Sequence, residues 1–307
     1  MVDITHKSST LRTAVAEGIV KVGSIETIEA IKNNLVPKGD VLEAARVAGL
    51  FGVKRTSDMI PDCHPMPVEY TGVEYDIRDL EIVIRMTVKT IYKTGVEVEA
   101  MHGVSVAAIT MYDMLKPIDK KVEVKHIRLV NKKGGKSDFK DKFRTDLKAA
   151  VIVCSDSISA GKKKDKAGRA IIDKLTQSKV EVTEYAIIPD EKVDIQTICK
   201  KMIEAGNDMV IYTGGTGLSD RDVTPQSLIP MLDVRIPGIE EAIRSYGQDR
   251  TPYSMLSRSL AGLIDNTLVL ALPGSTNGAK ESMDAVFPSV LHLFKVLKGF
   301  SHDKQVV

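Results

Sequence analysis

The chain has 307 residues, of which 43% are hydrophobic and 27% are charged, and its formal net charge is +2 at pH 7. This length has room for roughly two domains, and the composition is ordinary for a globular protein. The near-neutral charge excludes a general attraction to nucleic acid or to a membrane surface, so any recognition of phosphate must be local.

The three cysteines lie far apart and form no C-x-x-C motif, so the sequence indicates neither a disulfide framework nor a zinc site. A reducing, cytoplasmic compartment fits this pattern best. The first residues, MVDITHKSSTLRTAV, lack the apolar core of a signal peptide, and no run of about 18 apolar residues follows. We therefore predict a cytoplasmic protein that is not exported and does not span a membrane.

The first half mixes long helical patterns with alternating strands. Helical periodicity covers 41–60 and 96–115, whereas 68–79, 80–91 and 122–130 alternate as half-exposed strands do. Helices lying on one face of an antiparallel sheet would satisfy this pattern. We therefore predict an α+β unit.

A polar, charged and glycine-containing stretch, KKGGKSDFKDKFRTDLK, separates the two halves. An apolar strand begins directly after it, at Ala149. We place the domains at 1–139 and 149–307, with a linker over 140–148. No internal repeat is visible, so the halves are predicted to have different folds.

The second half alternates apolar strands with amphipathic helices. The predicted strands are 149–155, 180–188, 208–214 and 266–274, and the predicted helices are 168–178, 194–206, 236–247 and about 279–297. This alternation predicts a mostly parallel sheet with helices on both faces, an α/β unit. Ligands of such sheets bind beyond the carboxyl ends of the strands. The loops containing IIPDE, TGGTG and ALPGS should therefore converge on one crevice.

The segment TGGTGLSDRDVTP, residues 213–225, follows the third of these strands. Its glycines can adopt backbone angles that are closed to other residues, so that successive N–H groups converge on an anion. Asp220 and Asp222 cannot attract a phosphate themselves, and a ligand role for them would be to hold a divalent cation. A tight turn with solvated acids explains the same residues about as well.

The first half also carries charged side chains that suit chemistry. Glu97 and Glu99 stand at the start of a predicted helix, and Asp113 and Lys116 share a face near its end. The other candidates are Lys38, Lys54, Arg55, Cys63, His64 and Lys136. Together they could hold a polyphosphate, although a surface ion pair, a structural histidine and helix-dipole acids explain them one by one. The stretch GGKS at 134–137 is no Walker motif, because valine stands where glycine is required.

The run KGDVLEAARVAGLFGVKRTSDMIPDCHP, followed by KTGVEVEAMHGVSVAAITMYDMLK and GGKSDF, resembles the MoaC family. These are the cyclic pyranopterin monophosphate synthases of molybdenum cofactor biosynthesis, and the similarity covers roughly residues 1–139. The resemblance implies a ferredoxin-like fold and active sites formed between subunits. It also implies a lyase that converts cyclised dihydro-GTP to cyclic pyranopterin monophosphate and releases pyrophosphate.

The same resemblance implies roles for individual residues. Lys38, Asp113 and Lys116 would be catalytic: the lysines would neutralise the triphosphate and the leaving pyrophosphate, and Asp113 would exchange protons. The implied substrate-binding residues are Lys54, Cys63, His64, Glu97, Val98, Glu99 and Lys136. Asp62 replaces a leucine that is usual in the family. A carboxylate there would weaken phosphate binding unless it points away or meets a lysine.

The segment 213–225, with IIPDE, MLSRSLAG and ALPGSTNGA, resembles the MogA/MoaB family of molybdopterin adenylyltransferases over roughly residues 148–300. The resemblance implies that molybdopterin attacks the α-phosphorus of ATP, with Asp190 and Asp222 catalytic and holding Mg²⁺. The implied binding residues are Gly214, Gly215, Thr216, Gly217, Ser257 and Ser275. A helix cap and a strand-ending turn are the structural alternatives for the two serines. Mg²⁺ and ATP are the expected cofactors, with no organic prosthetic group.

The whole chain thus resembles a MoaC/MoaB fusion, which implies a bifunctional enzyme of molybdenum cofactor biosynthesis. Its expected partners are cyclised dihydro-GTP, molybdopterin and ATP, with no nucleic acid and no membrane. A second hypothesis makes the C-terminal domain a non-catalytic module that binds molybdopterin, and a third makes the first half purely structural. The two families imply a homo-oligomer with three-fold symmetry, a trimer or a hexamer.

Overall fold

The computed structural model describes residues 1–135 and 144–299. The chain forms two compact units, Met1–Lys140 and Asp141–Val307. The predicted linker, 140–148, lies partly outside the described residues. Within the described ranges, none of the helices combines the length and apolar character that crossing a membrane requires.

The first unit is an α+β sandwich, as the sequence predicts. Within residues 1–135 the strands are β1 (Thr10–Lys21), β2 (Tyr70–Arg78), β3 (Glu81–Tyr92) and β4 (Glu123–Lys133). The helices are α1 (Ile25–Lys32), α2 (Val41–Lys54), α3 (Thr56–Met59) and α4 (Glu97–Leu115). The sheet order is β2-β3-β1-β4 with every neighbouring pair antiparallel. If the three helices between β1 and β2 are counted as one connection, the elements follow the β-α-β-β-α-β order of ferredoxin-like domains.

The core of this unit lies between the sheet and its helices, because alternate residues of β1 and β3 face α4. On β1 these residues are small, including Ala14 and Ala16, whereas β3 buries Ile84 and Met86. Gly103 lets α4 approach the sheet, since a Cβ there would lie 2.2 Å from the sulfur of Met86. Strand β1 was not predicted from the sequence, because small residues on its buried face hide the alternation of apolar and polar residues.

The second unit contains the predicted mostly parallel sheet. Within residues 144–299 its strands are β5 (Lys148–Cys154), β6 (Glu181–Ile188), β7 (Met209–Thr213), β8 (Val234–Arg235), β9 (Leu260–Ile264) and β10 (Thr267–Leu272). Their order is β6-β5-β7-β10-β9-β8. Strands β6, β5, β7 and β10 are parallel to one another, whereas β9 pairs antiparallel with β10 and β8 pairs antiparallel with β9.

Helices cover both faces of this sheet. They are α5 (Asp156–Ser159), α6 (Ala167–Gln177), α7 (Lys192–Glu204), α8 (Thr224–Leu228), α9 (Pro237–Gln248), α10 (Thr276–Val286) and α11 (Leu293–Val296), with 3₁₀ turns at Ile229–Met231, Pro252–Leu256 and Ser289–His292. Strand β7 shows the two-sided burial. Met209 and Ile211 pack in one apolar cluster, with α6 and α10, and Val210 and Tyr212 in the other, with α7.

One prediction for this unit was wrong in detail, and one strand was not predicted. The helix predicted over about 279–297 ends at Val286, because Pro288 lacks an N–H and disfavours helical geometry at Phe287, which is extended. The strand Leu260–Ile264, which pairs with β10 through a two-residue turn, was not predicted. Its glycine and shortness hid it from the periodicity.

Candidate active sites

At the C-terminal end of α4, three predicted site residues form one cluster. Lys38 Nζ donates to Asp113 Oδ2 at 2.7 Å and to the Asp113 carbonyl at 2.9 Å. Lys116 Nζ lies 2.7 Å from Asp113 Oδ1. Hydrogen bonds from Lys116 and Lys38 lower the pKa of Asp113 to about 2. The carboxylate is thus a weak base near neutral pH, and it holds two ammonium groups side by side.

At the N-terminal end of α4, Cys63 and Glu99 form a second group. The Cys63 thiol donates to Glu99 Oε1 at 3.0 Å, and Glu99 is only 2% exposed. The other Glu99 oxygen, Oε2, is buried without a hydrogen-bond partner. Burial raises the pKa of Glu99, and burial together with Glu99 raises the pKa of Cys63 to about 12. Near neutral pH, Cys63 is therefore a thiol rather than a nucleophilic thiolate.

Other predicted residues of the first unit lie around this second group. Glu97 forms an ion pair with Lys132 at 3.0 Å, and His64 Nε2 lies 2.8 Å from the Val2 carbonyl oxygen. Asp62 is exposed, and its carboxylate forms an ion pair at 2.8 Å with the amino group of Met1, not with a lysine. Two further predicted residues, Lys54 and Val98, are exposed. The prediction for Lys136 lies outside the described residues.

The two groups of the first unit do not meet within one chain. Glu99 and Asp113 lie at opposite ends of α4, fourteen residues apart. At a rise of 1.5 Å per residue their backbones are about 21 Å apart. No single hydrogen-bonding pocket of one copy can therefore contain both Lys38 with Asp113 and Cys63 with Glu99.

In the second unit, the three loops predicted to converge do so. A Cβ on Gly274 of ALPGS would lie 3.0 Å from the Gly214 Cα of TGGTG, and one on Gly215 would lie 2.8 Å from Asp190 Oδ1 of IIPDE. Gly214 and Gly215 have φ angles of +101° and +62°, which favour glycine. Gly214 donates its N–H to the Leu272 carbonyl at 3.1 Å. The Gly217 N–H is directed at the Asp222 carboxylate, so a phosphate cradle would rest on the N–H groups of Gly215 and Thr216.

Arg258, which the sequence analysis missed, holds this glycine loop. Its guanidinium donates to the backbone carbonyls of Gly217 at 2.6 Å and Asp222 at 2.5 Å. The backbone N–H of Arg258 donates to the carbonyl of the buried Thr216 at 3.1 Å. Arg258 lies 41 residues after Gly217 in the chain. From a single sequence, no local pattern could have linked the two.

Asp190 and Asp222 lie in one acidic cluster but have opposite pKa shifts. Partial burial raises the pKa of Asp190, and the negative charges of Asp156 and Asp222 raise it further. Burial alone would raise the pKa of Asp222, but hydrogen bonds from the Ser219 hydroxyl at 2.5 Å and from the Ser219 N–H at 2.9 Å lower it below its usual value. Asp222 is thus the more strongly ionised of the pair.

Asp156 and Arg221 hold this cluster together, and neither was predicted from the sequence. Asp156 and Asp190 each accept a hydrogen bond from the other's backbone N–H, at 3.1 and 3.2 Å. Arg221 pairs with Asp156 at 2.7 Å and with Glu191 at 3.0 Å. The loops after β5, β6 and β7 are therefore tied together by charged groups.

The acidic cluster suits a divalent cation only if phosphate oxygens supply some of the ligands. Asp190 Oδ1 is buried without a hydrogen-bond partner, and Asp222 lies close enough for its negative charge to raise the pKa of Asp190. Among the described residues, no group of three or more His, Cys, Asp or Glu side chains could hold a metal ion alone. This donor set suits Mg²⁺, which is usually bound by one or two carboxylates together with substrate phosphates and water.

A cavity of about 580 Å³ opens beside these loops, between α9 and α10. Its walls include the predicted residues Ser257 and Ser275, together with Arg250, Tyr253 and Asn277. The volume falls within the range of small-molecule sites. Ser257 ends the 3₁₀ turn Pro252–Leu256, where its backbone N–H donates to the Ser254 carbonyl at 3.1 Å, and its hydroxyl lies 3.0 Å from that of Ser259.

Ser275, by contrast, caps α10, since its hydroxyl accepts a hydrogen bond from the Gly278 N–H at 3.1 Å. Ser275→Ala is therefore expected to lower the free energy of unfolding by about 1 kcal/mol in urea denaturation. Ser275→Asp keeps the cap but repels phosphate, so it should keep stability while weakening ATP or molybdopterin binding if Ser275 contacts either. Unchanged stability of the alanine variant would contradict the capping role.

Two families match the chain. The MoaC family matches residues 1–135, and the family described as "Probable molybdopterin binding domain" matches residues 150–292. A "Molybdenum cofactor biosynthesis bifunctional protein" from Chlorobaculum tepidum is 41% identical over 302 residues, 98% of this chain and 96% of the relative. One from Synechococcus elongatus is 35% identical over 317 residues, 98% of each chain. A "Cyclic pyranopterin monophosphate synthase" from Clostridium perfringens is 50% identical over 139 residues, 45% of this chain and 87% of the relative.

These matches show that the α+β unit and the α/β unit form a two-domain protein of molybdenum cofactor biosynthesis. Its first domain is of the MoaC family and its second is of the MogA/MoaB type. Because the similarity spans nearly the whole length of two bifunctional relatives, the chain belongs to the family of molybdenum cofactor biosynthesis bifunctional proteins.

Proposed function

We propose that the first domain converts cyclised dihydro-GTP to cyclic pyranopterin monophosphate with release of pyrophosphate, and that the second adenylylates molybdopterin with ATP and Mg²⁺. The observation that supports the proposal is that each domain gathers groups suited to bind phosphate. Lys38 and Lys116 flank one carboxylate in the first, and the glycine loop meets Asp190 in the second.

In the first domain, the two ammonium groups would neutralise the charge that develops on the leaving pyrophosphate. Asp113 would hold them in place. Its pKa of about 2 makes it a poor proton acceptor near neutral pH, so the proton exchange expected of it is better assigned elsewhere. Glu99, whose pKa burial raises, is the better candidate to hold and transfer a proton.

We further propose that a complete site of the first domain joins two copies of the chain. The lysine cluster of one copy would face the Cys63 and Glu99 group of another, because α4 keeps the two groups about 21 Å apart within one copy. This supports a homo-oligomer. The three-fold trimer or hexamer stays a prediction from the family resemblance, and the molar mass from light scattering would test it.

In the second domain, the N–H groups of Gly215 and Thr216 would bind nucleotide phosphate, and the cavity beside Ser257 and Ser275 would hold the pterin. When bound, Mg²⁺ would be held by Asp190 and Asp222 and would supply positive charge to the phosphates. The attacking phosphate of molybdopterin is already ionised. Positioning by the loops, rather than a strong base, would therefore dominate the rate.

Two assays on the purified full chain test the proposal. With cyclised dihydro-GTP, we expect cyclic pyranopterin monophosphate and pyrophosphate; with molybdopterin, ATP and Mg²⁺, we expect adenylylated molybdopterin and pyrophosphate. A protein that binds molybdopterin but releases no pyrophosphate from ATP would instead be a binding module in its second half. A first half without turnover would be purely structural.

A further inference from the structure

Two buried oxygens without hydrogen-bond partners lie in the second domain, Asp190 Oδ1 and Thr224 Oγ1. Thr224 is fully buried, as the first residue of α8. A buried polar atom that makes no hydrogen bond costs free energy, and native proteins leave few such atoms. Two of them in one loop cluster therefore need a physical explanation.

These two oxygens face the same point. A Cβ built on Gly215 would lie 2.2 Å from Thr224 Oγ1 and 2.8 Å from Asp190 Oδ1. Glycine leaves that point open, and any larger residue would press against both oxygens. One atom is a hydroxyl that can donate and the other a carboxylate oxygen that accepts, so each is a suitable partner for the other.

The rest of Asp190 is already fixed by other contacts. Its second oxygen, Oδ2, accepts a hydrogen bond from the Asp156 N–H at 3.2 Å. The charged groups that face it are the carboxylates of Asp156 and Asp222 and the guanidinium of Arg221. Thr224 is tied to the glycine loop, since its own N–H donates to the Gly215 carbonyl at 3.1 Å. A shift of the loop would therefore carry the Thr224 hydroxyl with it.

We propose that Thr224 is a positioning residue for Asp190, and that its hydroxyl donates a hydrogen bond to Asp190 Oδ1 in the nucleotide-bound protein. Hydrogen bonds of active sites are often long without ligand and tighten when it binds. The bond would hold the carboxylate in one orientation, with Oδ1 fixed by α8 and Oδ2 by the loop after β5, and each oxygen would keep a second lone pair for a cation. This inference rests on the proposed adenylylation.

The buried thiol of Cys154 is the competing partner. It lies beside Thr224, whose hydroxyl opposes the strong rise that burial causes in the pKa of Cys154, to about 12. A thiol is only a weak hydrogen-bond partner. If Thr224 served this thiol alone, its role would be to complete the core. The two roles predict different effects for variants of Cys154.

The test compares Thr224→Val, which removes the hydroxyl, with Thr224→Ser, which keeps it, and with Cys154→Ala. We expect Thr224→Val to lower kcat for pyrophosphate release by about 10- to 100-fold, with little change in KM for molybdopterin. Thr224→Ser and Cys154→Ala should keep the wild-type kcat. Circular dichroism checks that each variant is folded.

A wild-type kcat in Thr224→Val would overturn the inference, as would a Cys154→Ala variant with the same loss of kcat. A second readout separates this inference from the proposed function. The ¹³C signal of the Asp190 carboxyl can be recorded at one neutral pH before and after addition of ATP and Mg²⁺, whether or not turnover occurs. The inference requires the nucleotide to shift this signal in Thr224→Ser as in the wild type and differently in Thr224→Val; equal shifts in the two variants contradict it. Absence of pyrophosphate release by the wild type would count against adenylylation alone.

Discussion

Asp190→Asn is expected to reduce pyrophosphate release from molybdopterin and ATP by about 10³-fold, the loss typical of removing one preorganised electrostatic group from an active site. Asparagine has the shape of aspartate and can still accept from the Asp156 N–H. The variant therefore removes a charge and leaves the joined loops in place. A coupled pyrophosphate assay at saturating ATP measures the loss, and equilibrium binding of molybdopterin should remain close to wild type.

Asp194→Asn provides the matched control. Asp194 lies four residues further on, exposed in the first turn of α7, so its amide variant should keep the wild-type rate. The wild-type rate should also fall with acid at a higher pH than is usual for an aspartate, because burial and neighbouring carboxylates raise the pKa of Asp190. As the pH falls through that raised value, the carboxylate takes up its proton and loses its charge. Full activity of Asp190→Asn would remove Asp190 from the site.

The first domain should show complementation between variants. Lys38→Met and Glu99→Gln are each expected to lower formation of cyclic pyranopterin monophosphate by about 10²-fold or more, since each removes an electrostatic or proton-carrying group. Coexpressed at equal levels, they should recover about a quarter of the wild-type rate if sites form between paired copies. Half of the pairs are then mixed, and each mixed pair has one site with both residues intact.

The control pairs two variants from the same end of α4. Lys38→Met with Asp113→Asn should recover no activity, because every site in a mixed pair then lacks one of the two residues. Glutamine matches Glu99 in shape and can still accept from the Cys63 thiol, so the Glu99 variant should fold. Recovery of activity with both pairs of variants, or with neither, would contradict a site shared as proposed.

Several features of the fold could be predicted because they depend on short-range patterns. Apolar strands followed by glycine or proline predicted β6, β7 and β10 and placed their loops at one edge of the sheet. Strand β1 was missed because its buried face carries small residues under α4. The break at Pro288 followed from proline itself and could have been predicted from the sequence.

The candidate sites were predictable only where one motif carried the residues. Asp113 and Lys116 share a helix face by spacing alone, and their contact was predicted. Asp156 and Arg221 lie 65 residues apart, and they meet because parallel strands bring their loops together. Nothing local in the sequence indicates such a contact. The pKa shifts likewise depend on burial, which the sequence indicates only through the fold.

The protonation of the cysteines has a consequence for oxidation chemistry. Peroxides attack thiolates, and a thiol with a pKa of about 12 is ionised in only about one molecule in 10⁵ at pH 7. Cys63 and Cys154 both have such values, and burial also raises the pKa of Cys199. All three sulfurs should therefore react slowly with hydrogen peroxide, so sulfenic acid should form on the folded protein far more slowly than on its unfolded chain.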